Sequence, residues 1–146
     1  MDGSAITVDT LVHAPLNTVW IAWTGPEHIT QWNHASDDWH CPRAVNDLRP
    51  GGTFSSTMAA RDGSVEFEFG GEYTAVQPRE RLAYTIGDGR AVLVTFEAVD
   101  DDTTRVTETF EAESQHPPDM QRAGWQAILE NFRTYAESLD TPATAP

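Results

Sequence analysis

PPDMQRAGWQAILENFRTYAESL, residues Pro117–Leu139, reads as one long amphipathic helix. Its apolar side chains fall at Met120, Trp125, Ile128, Leu129, Phe132, Tyr135 and Leu139. Steps of three and four place them on one stripe of a helix surface. Pro117 and Pro118 lie where a first turn tolerates proline, and Asp119 puts a negative charge near the positive end of the macrodipole. Pro142 lies beyond the far end, where the helix should have stopped. At ~1.5 Å per residue such a helix spans on the order of 30 Å, enough to cross a small domain. Almost everything before it reads as strand. One long helix after a run of strands predicts an α+β fold, with a curved antiparallel sheet wrapped around that helix.

The strands show in the alternation. Ile6, Val8, Thr10 and Val12 oppose Thr7, Asp9 and Leu11 in a first strand. His13-Ala14-Pro15 breaks it. Two short helices follow, one carrying Val19, Trp20 and Trp23, the next, Glu27 to Asn33, carrying Ile29 and Trp32, with Gly25-Pro26 between them. His34 to Pro42 is polar and irregular apart from Trp39, and Val45 to Leu48 reads as a brief strand before the turn Arg49-Pro50-Gly51-Gly52. Thr53 to Ala60 alternates again, with Phe54, Ser56 and Met58 on one side, and Arg61-Asp62-Gly63-Ser64 turns into Val65 to Val76. There Val65, Phe67 and Phe69 face one way, and Gly70-Gly71 predicts a bulge or sharp bend. Strands marked by Leu82, Tyr84 and Ile86, then Val92, Val94 and Phe96, then Val106, Glu108 and Phe110 complete a meander, with turns at Pro78, at Gly87-Asp88-Gly89 and at Asp100 to Asp102. The expected organisation is a single domain over residues 1–146, its core about 6–139 and a frayed tail at 140–146.

Composition removes several function classes. No apolar run approaches the ~20 residues of a membrane span, and MDGSAITVDT lacks the pattern of a signal peptide. Cys41 is the only cysteine, so the chain has no intrachain disulfide, in keeping with a cytoplasmic setting. The chain holds 23 acidic and 9 basic residues, all nine of them arginine, for a net charge of −14. That charge argues against nucleic acid and anionic membranes as partners. Two causes stay open: adaptation to a salty cytoplasm, and a GC-rich genome that writes Arg for Lys.

HAPLNTVWIAWTGPEHITQWN, DLRPGGTF, FEFGGEYTAVQPRERLAYT, VTFEAVDDDTTRVTETF and GWQAILENFRTYAESL, taken in order, resemble blocks of bacterial proteins related to the C-terminal domain of the activator of heat-shock-protein-90 ATPase. The resemblance runs from about Ile6 to Leu139. It implies the helix-grip fold shared with birch-pollen-allergen-like and steroidogenic-acute-regulatory-related lipid-transfer proteins. It also implies an apolar cavity between the sheet and the long helix. It does not imply a ligand, because one fold hosts many functions. Two departures place polar groups near the expected cavity: Asn33 after Trp32, where relatives carry an apolar residue, and Glu108 at the centre of the last strand.

The chemistry of the residues gives little else to build on. His34, Asp37, Asp38, His40 and Cys41 cluster in sequence, but their spacing fits no metal motif and reads as a solvated loop. We assign no metal, no cofactor and no catalytic residue. DLRPGGTF precedes a strand, so its glycines are turn residues and not a phosphate cradle. The aromatic set is the better lead. A ligand-binding role is expected for Trp32, Trp39, Phe54, Met58, Phe69, Tyr84, Glu108, Trp125, Leu129 and Phe132. Strand alternation puts Glu108 on the core side with Val106 and Phe110. It either pairs with a donor such as an arginine or Trp indole, or lines the cavity and meets the polar end of a ligand.

The leading expectation is therefore a cytoplasmic binding protein for a small apolar or amphipathic molecule, with a homodimer left open. A polyketide-cyclase-like or hydrolase-like enzyme would use the same cavity, with Glu108 and a histidine as its acid and base. A chaperone-associated factor would need an exposed apolar patch. Trp125→Ala is expected to cost about 3–5 kcal/mol as the loss of a core aromatic.

If the acidic surface is an adaptation, molar KCl should raise the melting temperature well above that in dilute buffer, because salt screens the repulsion among like charges. An unchanged melting temperature would leave genome composition as the cause.

Overall fold

The computed structural model describes residues 5–34, 36–86, 89–114 and 116–139. Seven strands and three helices follow one another as β1 (Ala5–Val12), α1 (Leu16–Thr24), α2 (Pro26–Trp32), β2 (Trp39–Asn46), β3 (Thr53–Ala60), β4 (Glu66–Gln77), β5 (Arg81–Ile86), β6 (Ala91–Asp100), β7 (Thr103–Glu111) and α3 (Pro118–Leu139). The strands form one antiparallel sheet in the order β1-β7-β6-β5-β4-β3-β2. Strands β2 to β7 pair in sequence order, and β1 returns to lie beside β7. The sheet curls, and α3 packs against β1 and touches α1 and α2. This is the helix-grip arrangement. No helix among the described residues is long and apolar enough to cross a membrane. The predicted tail with Pro142, and Gly87 and Asp88 of one predicted turn, lie outside the described residues.

Period-two burial explains the sheet. In β1 every second residue, Ile6 to Val12, is buried and the others are exposed. In β7 Thr104, Val106, Glu108 and Phe110 are buried in the same way. Val8 pairs with Glu108, which pairs with Val94, so one row of inward side chains runs across three strands. Thr104 Oγ1 donates to the Ala14 carbonyl at 2.9 Å, which satisfies a polar group at the buried end of β7.

The helices are tied down by aromatic contacts. Trp23 of α1, Trp32 of α2 and Phe132 of α3 meet in a cluster with ring centroids 4.8–5.0 Å apart. Trp32 Nε1 donates to the Ala22 carbonyl, so the ring nitrogen is satisfied inside the core. At the start of α3, the buried Gln121 accepts from the Glu113 amide and donates to the Glu113 and His116 carbonyls. That network fixes the entry of the helix after β7.

Three local expectations change. β2 begins at Trp39, not Val45, and ends at Asn46; the stretch expected to be irregular is half strand, with a register shift between His40 and Arg43. An edge strand needs few apolar side chains and tolerates Pro42 at an irregularity, so its period was faint. The bulge is also displaced: Gly70 and Gly71 pair in register with Ser55 and Phe54, and the shift comes between Tyr73 and Ala75. The glycines answer to a close approach of backbones, since a Cβ on Gly71 would collide with the Thr85 carbonyl oxygen and one on Gly70 with that of Phe54. Finally, Trp125 faces the sheet, stacked on Phe110 at 3.8 Å, but it is only half-buried.

Two stability measurements check this packing. Phe132→Ala, which empties a fully buried site, should cost about 3–5 kcal/mol, and Trp125→Ala distinctly less. Equal costs would mean that Trp125 belongs to the core. Gly71→Val should lower stability by more than ~1 kcal/mol through overpacking against Thr85; an unchanged denaturation midpoint would remove the close approach.

Candidate functional site

Between the concave face of the sheet, α2 and α3 lies a cavity of about 260 Å³. Its floor comes from alternate residues of neighbouring strands: Phe54, Ser56 and Met58 of β3, Phe67, Phe69 and Tyr73 of β4, Tyr84 of β5 and Glu108 of β7. Trp125 and Ile128 of α3 form the roof, and Trp23, Ile29, Trp32 and Asn33 close one side. Val45 and Phe67 are 64% and 50% exposed, so the mouth opens beside β2 and β4. An engineered cavity of ~150 Å³ accepts benzene; the larger space here suits a body of about two fused rings.

The polar groups divide into satisfied and unsatisfied sets. The Tyr73 hydroxyl donates to Asn46 Oδ1 at 2.7 Å, and Asn46 Nδ2 donates to the Thr24 carbonyl at 2.8 Å. Burial pushes the Tyr73 phenol up to about 12, against the opposing effect of that hydrogen bond. Arg90 also reaches the cavity wall, and its Nη1 donates to the Glu111 carbonyl at 3.0 Å. Glu108 is different. It is 6% exposed, and no described residue forms a hydrogen bond or ion pair with its carboxyl. Loss of water alone pushes its pKa up to about 8. Tyr84 is buried nearby and its phenol is raised well above the ordinary value, by desolvation first and then by the negative charge of Glu108. At neutral pH both groups are mainly protonated O–H donors facing an apolar space.

Of the residues singled out from sequence, Trp32, Phe54, Met58, Phe69, Tyr84, Glu108 and Trp125 stand together in the cavity wall. Trp39, Leu129 and Phe132 do not. Trp39 packs edge-on against Phe67 at 5.9 Å, outside the cavity. Leu129 and Phe132 are fully buried, and Phe132 lies two turns beyond Trp125, where Trp23 and Trp32 already fill the space. Sequence reasoning missed Phe67 and Tyr73, although both share the parity of Phe69 on β4. It also missed Ile128, one turn from Trp125, and, beside the expected Trp32 and Asn33, the lateral wall residues Trp23, Ile29, Val45 and Asn46. The His34 to Cys41 stretch gathers no three metal-ligating side chains among the described residues. Cys41 is buried, with its Sγ donating to the Arg43 carbonyl at 3.3 Å.

The family model described as Activator of Hsp90 ATPase homolog 1-like protein matches residues 13–137. The solution structure of the AHSA1-like protein from Aeromonas hydrophila is similar at 43% identity, with 93% of this chain and 94% of that one covered and a TM-score of 0.87. A Cytophaga hutchinsonii protein solved in solution is 47% identical over 95% of this chain and 96% of its own, with a TM-score of 0.79. A Chromobacterium violaceum crystal structure is 22% identical, covers 92% and 98%, and superposes with a TM-score of 0.81, a likeness of fold alone. No curated protein is significantly similar in sequence.

The raised pKa of Glu108 has a definite sign in stability. Its value moves from 4.5 unfolded to about 8 folded, so between these values the native state holds the extra proton. Stability from this group is full below about 4.5 and is lost as pH rises through 8. At ~1.36 kcal/mol per unit the whole loss is on the order of 5 kcal/mol. Carboxylates such as Glu68, held low by hydrogen bonds from Ser55 and Thr57, act in the opposite direction. They are common to wild type and Glu108→Gln, so the comparison isolates Glu108. The stability of Glu108→Gln relative to wild type should rise from about pH 5 and level off above about pH 8. Parallel stability curves would show an ordinary, solvated carboxylate.

Proposed function

Because the chain belongs to the Activator of Hsp90 ATPase homolog 1-like family, whose fold it shares, we propose that it holds a small apolar or amphipathic molecule between sheet and α3. The observation that carries this reading is the cavity itself: mostly aromatic and aliphatic walls, an open mouth, and one carboxyl with no partner among the described residues. Apolar pockets with a few polar groups favour ligands of that kind, the apolar area supplying affinity and the polar group orientation. In this reading Trp32, Phe54, Met58, Phe69, Tyr84 and Trp125 make the apolar contact and Glu108 meets the polar end. The chain acts as one domain, in the cytoplasm.

An acid–base enzyme is the second reading, and the raised carboxyl of Glu108 beside Tyr84 is the observation in its favour. It required a histidine beside Glu108. No histidine belongs to the cavity wall among the described residues, so binding remains the better reading. A chaperone-associated role rests on the family description, whereas the cavity is a feature of this chain.

Calorimetric titration with 2-(2-naphthyl)ethanol tests the proposal, because its body matches the cavity and it carries no charge. Saturable one-to-one binding is expected in the wild type, with at least tenfold weaker binding in Ile128→Trp, which fills the cavity from the helix side. Unaltered binding in a folded Ile128→Trp protein, or none in the wild type, would overturn it.

A further inference from the structure

Building on the binding reading above, we propose that the cavity selects organic cations: a primary or secondary ammonium group attached to an apolar body of about two rings. Three observations point the same way. The first is the unpaired Glu108 carboxyl, 6% exposed and aimed into the cavity. A buried carboxyl without a partner lacks a counter-charge, and a ligand ammonium supplies one. The second is the character of the walls. Trp125, Phe69 and Tyr84 all line the same space, and aromatic rings can offset the desolvation of a cation. The third is independent of the cavity. A chain with net charge −14 draws cations toward it and repels anions.

The alternatives fit less well. A ligand carboxylate would meet the repulsive field of the whole chain, and beside it Glu108 would have to stay protonated. Arg90, the other charged residue in the wall, gives one N–H to the Glu111 carbonyl and keeps its positive charge, so the acetate probe below weighs that charge against the field of the chain. A neutral alcohol or ketone would take a hydrogen bond from protonated Glu108 but gain nothing from the charge. Among the described residues, the titratable and charged groups facing this space are Glu108 of β7, Tyr84 of β5, Tyr73 of β4 and Arg90 ahead of β6; α1, α2, α3, β2 and β3 contribute none.

Binding of an ammonium ion favours the ionised form of Glu108. The proton held by the empty protein then passes to solvent, and the ammonium keeps its own. Amine affinity should therefore climb with pH toward about 8 and level off above it.

The test uses three probes with one body: 2-(2-naphthyl)ethylamine, 2-(2-naphthyl)ethanol and 2-naphthylacetate, titrated calorimetrically into the intact protein at pH 8 in dilute and in half-molar KCl. The amine should bind at least tenfold more tightly than the alcohol, and the acetate most weakly. At pH 6.5, buffers of different ionisation heat should reveal release of nearly one proton per amine bound. In Glu108→Gln the advantage of the amine over the alcohol should shrink to within about twofold. If the alcohol binds as well as the amine in wild type, cation selection fails and the binding reading survives. If the amine's advantage persists in Glu108→Gln and vanishes in salt, the selectivity comes from the surface field and the role of Glu108 is overturned. If no probe binds, both fall.

Discussion

The meeting of Trp23, Trp32 and Phe132 is the contact on which the rest of this structure depends. It joins all three helices at one point, with centroids no more than 5.0 Å apart. Strands β1 and β2 lie at opposite edges of the sheet, so α1 and α2 must cross the open face between them. The aromatic cluster anchors that crossing to α3. It thereby fills one end of the space under the helix and leaves the other end open. Two turns earlier on α3, Trp125 lies flat on Phe110 and carries the roof of the cavity. Large rings at both points hold the helix off the sheet, which a row of small side chains would not do.

That architecture gives Glu108 its character. On a flat or solvated sheet a carboxyl at this position would ionise freely. Here the curl of the sheet and the cover of α3 leave Glu108 6% exposed, and no described residue supplies its carboxyl with a donor. The protein carries the cost of a buried, unpaired ionisable group, and such costs concentrate where a site must meet a ligand. The neighbouring polar residues show the contrast. Asn46 and Tyr73 satisfy one another and the end of α1, so that end of the cavity is structural, whereas Glu108 and Tyr84 are left facing it.

Much of this was legible in the sequence because the dominant signals were periodic. Alternation located β1 and β3 to β7, and three-four spacing located α3. The same alternation placed Glu108 inward beside Val106 and Phe110, where the structure has it. Legibility failed where periodicity does. An edge strand such as β2 buries little on either face, so Trp39–Asn46 did not announce itself. Gly70-Gly71 signalled a real constraint, but a glycine that relieves a close approach looks the same in sequence as one that permits a bulge. Leu129 and Phe132 were placed in the cavity wall with Trp125 because they share its helix stripe. A stripe specifies a direction and not a depth, and it was Trp23 and Trp32, distant in sequence, that decided which turn of α3 meets protein and which meets the cavity.

The central claim is that Glu108 is an unpaired, desolvated carboxyl facing this cavity. The most direct measurement is an NMR titration of the Glu108 side-chain carboxyl carbon in the ligand-free protein, assigned by comparison with Glu108→Gln. The account predicts a midpoint near 8, several units above the ordinary value for a glutamate. A midpoint near 4.5, the ordinary value, would contradict it.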